Sequence, residues 1–142
     1  MREEAFSADV SELTKERAKT LLSSELVRTL GIELESMSPD TVTVSMSMSG
    51  KHNSIETGHG GAIFSLADEA FALDSNRGND VWVALSCNIV YHRPVKGKLI
   101  TATSRKVSGT ANHALYEVII KDGERHVATF QGLSVRLDPS RA

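Results

Sequence analysis

The chain has 142 residues, 40% hydrophobic and 24% charged, with a formal net charge of −2, a balance that suits one globular domain with a single core. It makes no global electrostatic case for nucleic acid or a membrane surface, and four Phe, two Tyr and one Trp are too few for a base-stacking platform. A lone Cys87 excludes an intrachain disulfide and a cysteine-based zinc cluster.

The start Met1-Arg2-Glu3-Glu4 is acidic and carries no apolar run, so it does not read as a signal peptide. No stretch reaches transmembrane length, and a cytoplasmic protein is expected. One domain over 1–142 is expected, with 1–8 and 138–142 loose. Asp9 or Ser11 is placed to cap a helix whose apolar positions are Val10, Leu13, Ala18, Leu21, Leu22, Leu26 and Leu30, with Gly31 ending it. Ile32 to Met37 reads as a short strand and Pro39-Asp40 as a turn. Then Val42, Val44, Met46 and Met48 alternate with Thr41, Thr43, Ser45 and Ser47, the period of a half-buried strand. These two strands are expected to pair antiparallel.

Next come His52 to Gly61, a polar glycine-rich turn, and Ala62 to Leu73, a run of good helix formers with Gly78 beyond its end. At about 100° per residue the helix is apolar nearly all round, which marks it as buried. Asp68 falls between Phe64 and Ala72, beside a narrow polar stripe of Ser65 and Glu69. A carboxylate there is either held by a structural hydrogen bond or ion pair, or it does chemistry. The helix start leaves backbone N–H groups unpaired and carries partial positive charge. Gly60 and Gly61 bring no side chains to block it, so those amides suit a developing oxyanion as well as they suit a plain tight turn.

Val81 to Tyr91 is apolar on both phases, consistent with a central strand, with Ser86 and Asn88 interrupting it. Leu85 and Ile89 flank Cys87, which reads as a buried, inert thiol. His92-Arg93-Pro94 ends the strand. Lys98 to Val107 and Asn112 to Lys121 follow, then Asp122-Gly123 as a two-residue hairpin and a last strand from His126 to Leu137. The sum is an α+β fold, one curved antiparallel sheet of about six strands wrapped on one central helix, with an N-terminal helix.

That order resembles the hotdog fold. Asn53, then His59-Gly60-Gly61, then Ile63-Phe64-Ser65-Leu66-Ala67-Asp68, is similar to the signature of the PaaI-type (phenylacetyl-CoA thioesterase-like) acyl-CoA thioesterases. Ala70-Phe71-Ala72, Asn76, Arg93-Pro94, the Gly97-Lys98-Leu99 turn and Val127-Ala128 are similar as well. The resemblance spans roughly residues 31 to 137. It implies roles. Asp68 matches the carboxylate that activates or orients water or attacks the thioester itself. Gly60 matches the backbone N–H donor to the thioester carbonyl. His59 matches a supporting turn histidine, Asn53 an asparagine near carbonyl and water, and Ser86 a polar residue that helps hold the water. Gly61 and Arg93 are candidate substrate-binding residues. Arg93, Lys96, Lys98, Arg105, Lys106 and Arg125 lie near turns or strand ends, where each either meets the coenzyme A phosphates or simply faces solvent. The resemblance also implies a homo-oligomer, a dimer of hotdog dimers, with the active site at the subunit interface.

Ser54, where related proteins often carry glycine, and the charge of Glu56 depart from the pattern. His52, His92, His113 and His126 are scattered singly and form no metal-ligand spacing with Asp68. No metal and no cofactor is expected. The expected activity is hydrolysis of acyl-CoA, with phenylacetyl, medium-chain and β-keto acyl groups all candidates. A hotdog hydratase or dehydratase is the first alternative, although Asp-x₄-His and His-Phe-Pro motifs are missing. A non-catalytic acyl-CoA-binding hotdog domain is the second.

Overall fold

The strict alternation in Thr41–Ser47 has a physical destination. Val42, Val44 and Met46, with Met48 just beyond, are each at most 1% exposed, and all lie under one long helix. The structure, a computed structural model, describes residues 2–141. Its elements run in chain order: a 3-10 turn at Glu3–Ala5, helices α1 (Glu12–Leu22) and α2 (Glu25–Leu30), strands β1 (Glu33–Met37) and β2 (Thr41–Ser47), helix α3 (Gly60–Ser75), then β3 (Trp82–Tyr91), β4 (Leu99–Gly109), β5 (His113–Asp122) and β6 (Arg125–Arg136), and a closing 3-10 turn at Pro139–Arg141.

All six strands form one antiparallel sheet in the order β1-β2-β4-β5-β6-β3. Its buried face carries Ile100 and Ala102 on β4, Val118 and Ile120 on β5, and Phe130 on β6. The helix α3 lies on that face and buries Ile63, Leu66, Ala67, Ala70, Phe71 and Leu73. Full burial of each large apolar side chain contributes about 1.5–3 kcal/mol. Ring contacts tie helix to sheet, with Phe71 edge-on to Tyr116 at 5.6 Å and Phe64 edge-on to Phe130 at 5.4 Å.

The far end of α3 is pinned by Asn76. Its Nδ2 donates to the carbonyls of Ala72 and Trp82, both at 3.0 Å, while its Oδ1 accepts from Trp82 N at 2.9 Å and Arg17 Nη2 at 3.1 Å. One buried side chain thus ends α3, starts β3 and holds α1. Beside it Asp74 is buried, accepting from Arg77 Nε and Ser104 Oγ, each at 2.9 Å.

Several expectations are corrected. The N-terminal helix is two helices. Ser11 caps α1, accepting from Thr14 N at 3.1 Å, and Ser24 starts a second helix, accepting from Val27 N at 3.4 Å. The break rotates the apolar face, so Val27 is buried while Leu13 and Leu26 are exposed. Gly31 does end α2, in the left-handed region at φ 71°. Ala5 and Phe6 are buried, and Ser7 N donates to Met37 O at 2.9 Å. Met1 and Ala142, within the ends expected to be loose, lie outside the described residues. The turn between β5 and β6 sits one residue later than expected, on Gly123-Glu124, with Asp122 opposite Arg125. The Asp122 carboxylate is committed elsewhere, accepting from Lys96 N at 3.0 Å and Gly97 N at 2.9 Å.

The largest correction concerns β3. It is an edge strand, paired only with β6, and Val83, Leu85, Val90 and Tyr91 are 42%, 60%, 50% and 47% exposed. Cys87 on it is half-buried rather than buried. A strand covered on both faces and a strand that leaves both phases open carry the same apolar pattern, and only the pairing separates them.

Candidate active site

The turn before α3 is built from short-range hydrogen bonds. Asn53 closes it. Its Oδ1 accepts from Ile55 N at 3.1 Å and Thr57 N at 3.0 Å, its Nδ2 donates to Thr57 Oγ1 at 2.8 Å, and its backbone N donates to Thr57 O at 2.8 Å. The tight path places Glu56 at φ 62°, the one non-glycine residue with positive φ among the described residues. The turn is then anchored outward, by Gly58 N to Val95 O at 2.9 Å and His59 N to Lys51 O at 2.8 Å.

His59 caps α3. Its Nδ1 accepts from Gly61 N at 2.9 Å. Its carbonyl accepts from Ala62 N at 3.0 Å and Ile63 N at 3.1 Å. The amides of residues 61, 62 and 63 are therefore taken up locally. The Gly60 N–H has no acceptor among the described residues, at the end of the helix where partial positive charge gathers.

Next to that amide lies a cavity of about 280 Å³, lined by Asn53, Thr57, Gly60, Tyr91, His92 and Arg93 among others. Three of the residues singled out by the sequence therefore meet at one cavity: Asn53, Gly60 and Arg93. Arg93 is exposed at its rim, with Nη1 donating to His126 O at 2.7 Å. His92 stands edge-on to His126 at 4.9 Å, and both Nε2 atoms lie 2.8 Å from Thr129 Oγ1. Among the described residues no three His, Cys, Asp or Glu side chains gather as metal ligands.

The other candidates lie apart from this cavity within one chain. His59 and Gly61 border a second, more apolar groove with Leu26, Leu30 and Ala62. Asp68 sits two turns along α3, half-buried, and burial pushes its carboxyl above the ordinary range. Its charge reaches Cys87 on β3, whose thiol is pushed up first by burial and then by Asp68. Ser86 is exposed on β3, where the register with β6 shifts between Ala84 and Ser86. Asp68 makes no hydrogen bond or ion pair with any described residue, so the structural ion pair open to it from sequence is not formed. The buried carboxylate with structural partners is Asp74.

Two residues that line this cavity, and one beside Asp68, escaped the sequence reading. Tyr91 closes β3 and its hydroxyl donates to Gly60 O at 2.7 Å; a strand-end aromatic carries no local signal of that contact. Thr57 completes the Asn53 turn, and the Asn-x₃-Thr spacing was available as a signal. Glu69, next to Asp68, has its Oε1 buried without a partner, and burial, then the Asp68 charge, push its carboxyl up to about 7. The helical wheel placed Glu69 on a polar stripe without showing how deep that stripe lies.

Known proteins resemble this chain in sequence and in fold. Residues 56–129 match the thioesterase superfamily. Over 113 residues the chain is 34% identical to the acyl-coenzyme A thioesterase PaaI of Escherichia coli, covering 78% of this chain and 81% of that protein. The structure of Escherichia coli PaaI, from the phenylacetic acid degradation operon, superimposes with a TM-score of 0.85 at 29% identity, covering 92% of this chain and 97% of that one. A mutant of the phenylacetic acid degradation protein PaaI from Thermus thermophilus superimposes with a TM-score of 0.74 at 32% identity, covering 80% and 100%. A curved antiparallel sheet around one central helix is, in this company, the fold of a hotdog thioester hydrolase. The chain belongs to the thioesterase superfamily and is of the PaaI type.

Proposed function

We propose that this chain is a cytoplasmic acyl-CoA thioesterase that converts an acyl-S-CoA and water into a free carboxylic acid and coenzyme A. The observation that carries the reading is the Gly60 N–H, left without an acceptor at a helix start that opens on a cavity. Asn53 stands at the same cavity. Arg93 at the rim suits a coenzyme A phosphate. The names of the relatives, acyl-coenzyme A thioesterase and phenylacetic acid degradation protein, make phenylacetyl-CoA the first substrate to try, with medium-chain acyl-CoA next.

Within one chain Asp68 does not line that cavity. The reading therefore pairs two copies along the open edge of β3, so that the turn of one subunit faces Asp68 of the partner subunit. The apolar exposure of Val83, Leu85 and Val90 supports such a pairing, and two such dimers would make the tetramer. Burial raises the Asp68 carboxyl and so strengthens it as a base. It takes a proton from water as the water oxygen attacks the thioester carbonyl carbon. The negative charge that grows on the carbonyl oxygen falls to the Gly60 N–H, and Ser86 and Asn53 hold the water. The carbon–sulfur bond then breaks. The acyl group leaves as the acid, and the coenzyme A thiolate is protonated to the thiol.

Free-thiol release from a panel of acyl-CoA esters, phenylacetyl-CoA included, tests the reading with wild type and Asp68→Asn side by side. Wild-type turnover is expected, with a loss on the order of 10²–10⁴-fold in the variant, the range of general-base help. A folded Asp68→Asn protein with near-wild-type rates would remove Asp68 from the mechanism. Tight ester binding without thiol release would instead favour a non-catalytic binding domain.

A further inference from the structure

A peptide unit is rigid and planar, so holding its C=O and its N–H holds the whole plane. The unit between Gly60 and Gly61 is held at both ends. Tyr91 Oη–H donates to its carbonyl at 2.7 Å, and His59 Nδ1 accepts from its N–H at 2.9 Å. The unit before it, between His59 and Gly60, is held only at its carbonyl, by the Ala62 and Ile63 amides. Its N–H is the open Gly60 donor. Glycine leaves these two planes freer to turn against each other than any other residue would. The bond to Tyr91 removes part of that freedom. The ring is also close: a Cβ on Gly60 would lie 3.1 Å from the Tyr91 hydroxyl and 3.2 Å from the ring carbon that bears it.

We propose that Tyr91 is a positioning residue for the Gly60 oxyanion donor, an inference that rests on the thioesterase reading above. The phenol does not itself touch the reacting carbonyl in this assignment. It holds the plane after Gly60, one side of the hinge about which the plane carrying the Gly60 N–H turns, and so narrows the directions in which that N–H points across the cavity. A donor pre-aimed at the oxyanion costs no reorganisation when the charge develops, and that benefit appears in the transition state rather than in the bound substrate. Among the described residues no other phenol bonds to the helix start, and the bond lies at the end of the open strand β3, beside the cavity.

The test is Tyr91→Phe, which keeps the ring and deletes only the hydroxyl. Steady-state thiol release, thermal unfolding and amide hydrogen exchange at Gly61 are measured on wild type, Tyr91→Phe and Asp68→Asn. The expected result is a fall of about 5-fold in kcat, the worth of one net hydrogen bond. KM stays unchanged, the unfolding temperature falls by no more than one net hydrogen bond accounts for, and Gly61 exchanges faster. A merely structural role would lower the unfolding temperature and leave kcat per folded molecule alone, and that result overturns the proposal. A rise in KM at constant kcat also overturns it, because it reduces Tyr91 to a wall of the cavity. If Tyr91→Phe matches wild type while Asp68→Asn is inactive, the positioning role fails and the thioesterase reading stands. If wild type releases no thiol from any ester, that reading fails and takes the role of Tyr91 with it.

Discussion

Glu69 offers a prediction with a number attached. Its Oε1 is buried without a partner, and burial, then the neighbouring Asp68 charge, push its carboxyl from the ordinary 4.5 to about 7. Between those two values the folded chain holds a proton that the unfolded chain has released, so folding loses stability as pH rises across the window. At 1.36 kcal/mol per pH unit the full cost is about 3 kcal/mol. Binding curves with these two end points place about 2–3 kcal/mol of it between pH 5 and pH 8. Glu69→Gln keeps the shape and cannot ionise. Any cost of burying its amide is constant and does not vary with pH. Urea unfolding at pH 5 and pH 8, at one protein concentration, should therefore show the variant gaining about 2–3 kcal/mol on wild type between the two conditions. Parallel pH profiles, within about 0.5 kcal/mol, would refute the argument that Glu69 is charged at the cost of its burial.

Two further outcomes follow from the geometry. Asp74→Ala leaves Ser104 Oγ and the Arg77 guanidinium without their buried acceptor, and a loss of about 3 kcal/mol or more is expected in denaturant unfolding, with unchanged stability as the contrary result. Glu56→Gly relieves a left-handed residue at φ 62°; the relief of about 1–2 kcal/mol, less the entropy that glycine loses on folding, leaves a net gain of about 0.5–1 kcal/mol, and a destabilised variant would mean that the Glu56 side chain earns its strained backbone.

The parts of the fold that local physics decides were legible in the sequence. The alternation from Val42 to Met48 needs one dry face, and it has one. A helix apolar nearly all round has to be buried, and α3 is. What escaped depended on contacts far apart in the chain. Ser23 and Ser24 are tolerated inside a helix and favoured at its ends, so nothing local separates one bent helix from two capped ones. The edge position of β3 depends on which strand pairs with β6, and Val81 to Tyr91 carries no mark of it. The site divides in the same way. Asn53, Gly60 and Arg93 come from turns and strand ends with recognisable chemistry, and they converge on one cavity. Tyr91 is separated from Gly60 by 31 positions, and no spacing rule connects a strand-end phenol to a helix-start carbonyl.

The strand β3 is fastened to α3 at both of its ends. Asn76 grips Trp82 where the strand begins, and Tyr91 grips Gly60 where it finishes. The two elements behave like opposite sides of a frame with a rung at each end. Insertions and deletions are therefore not equivalent along this part of the chain. The exposed loop at Gly78, Asn79 and Asp80 lies outside the frame and can change length with little consequence. One residue added or lost between Trp82 and Tyr91 would turn the phenol to the opposite face of the sheet, because side chains alternate. The length of this strand is thus set by the helix it spans, and homologous chains that keep the Tyr91 bond should vary in the loop and hold their count in the strand.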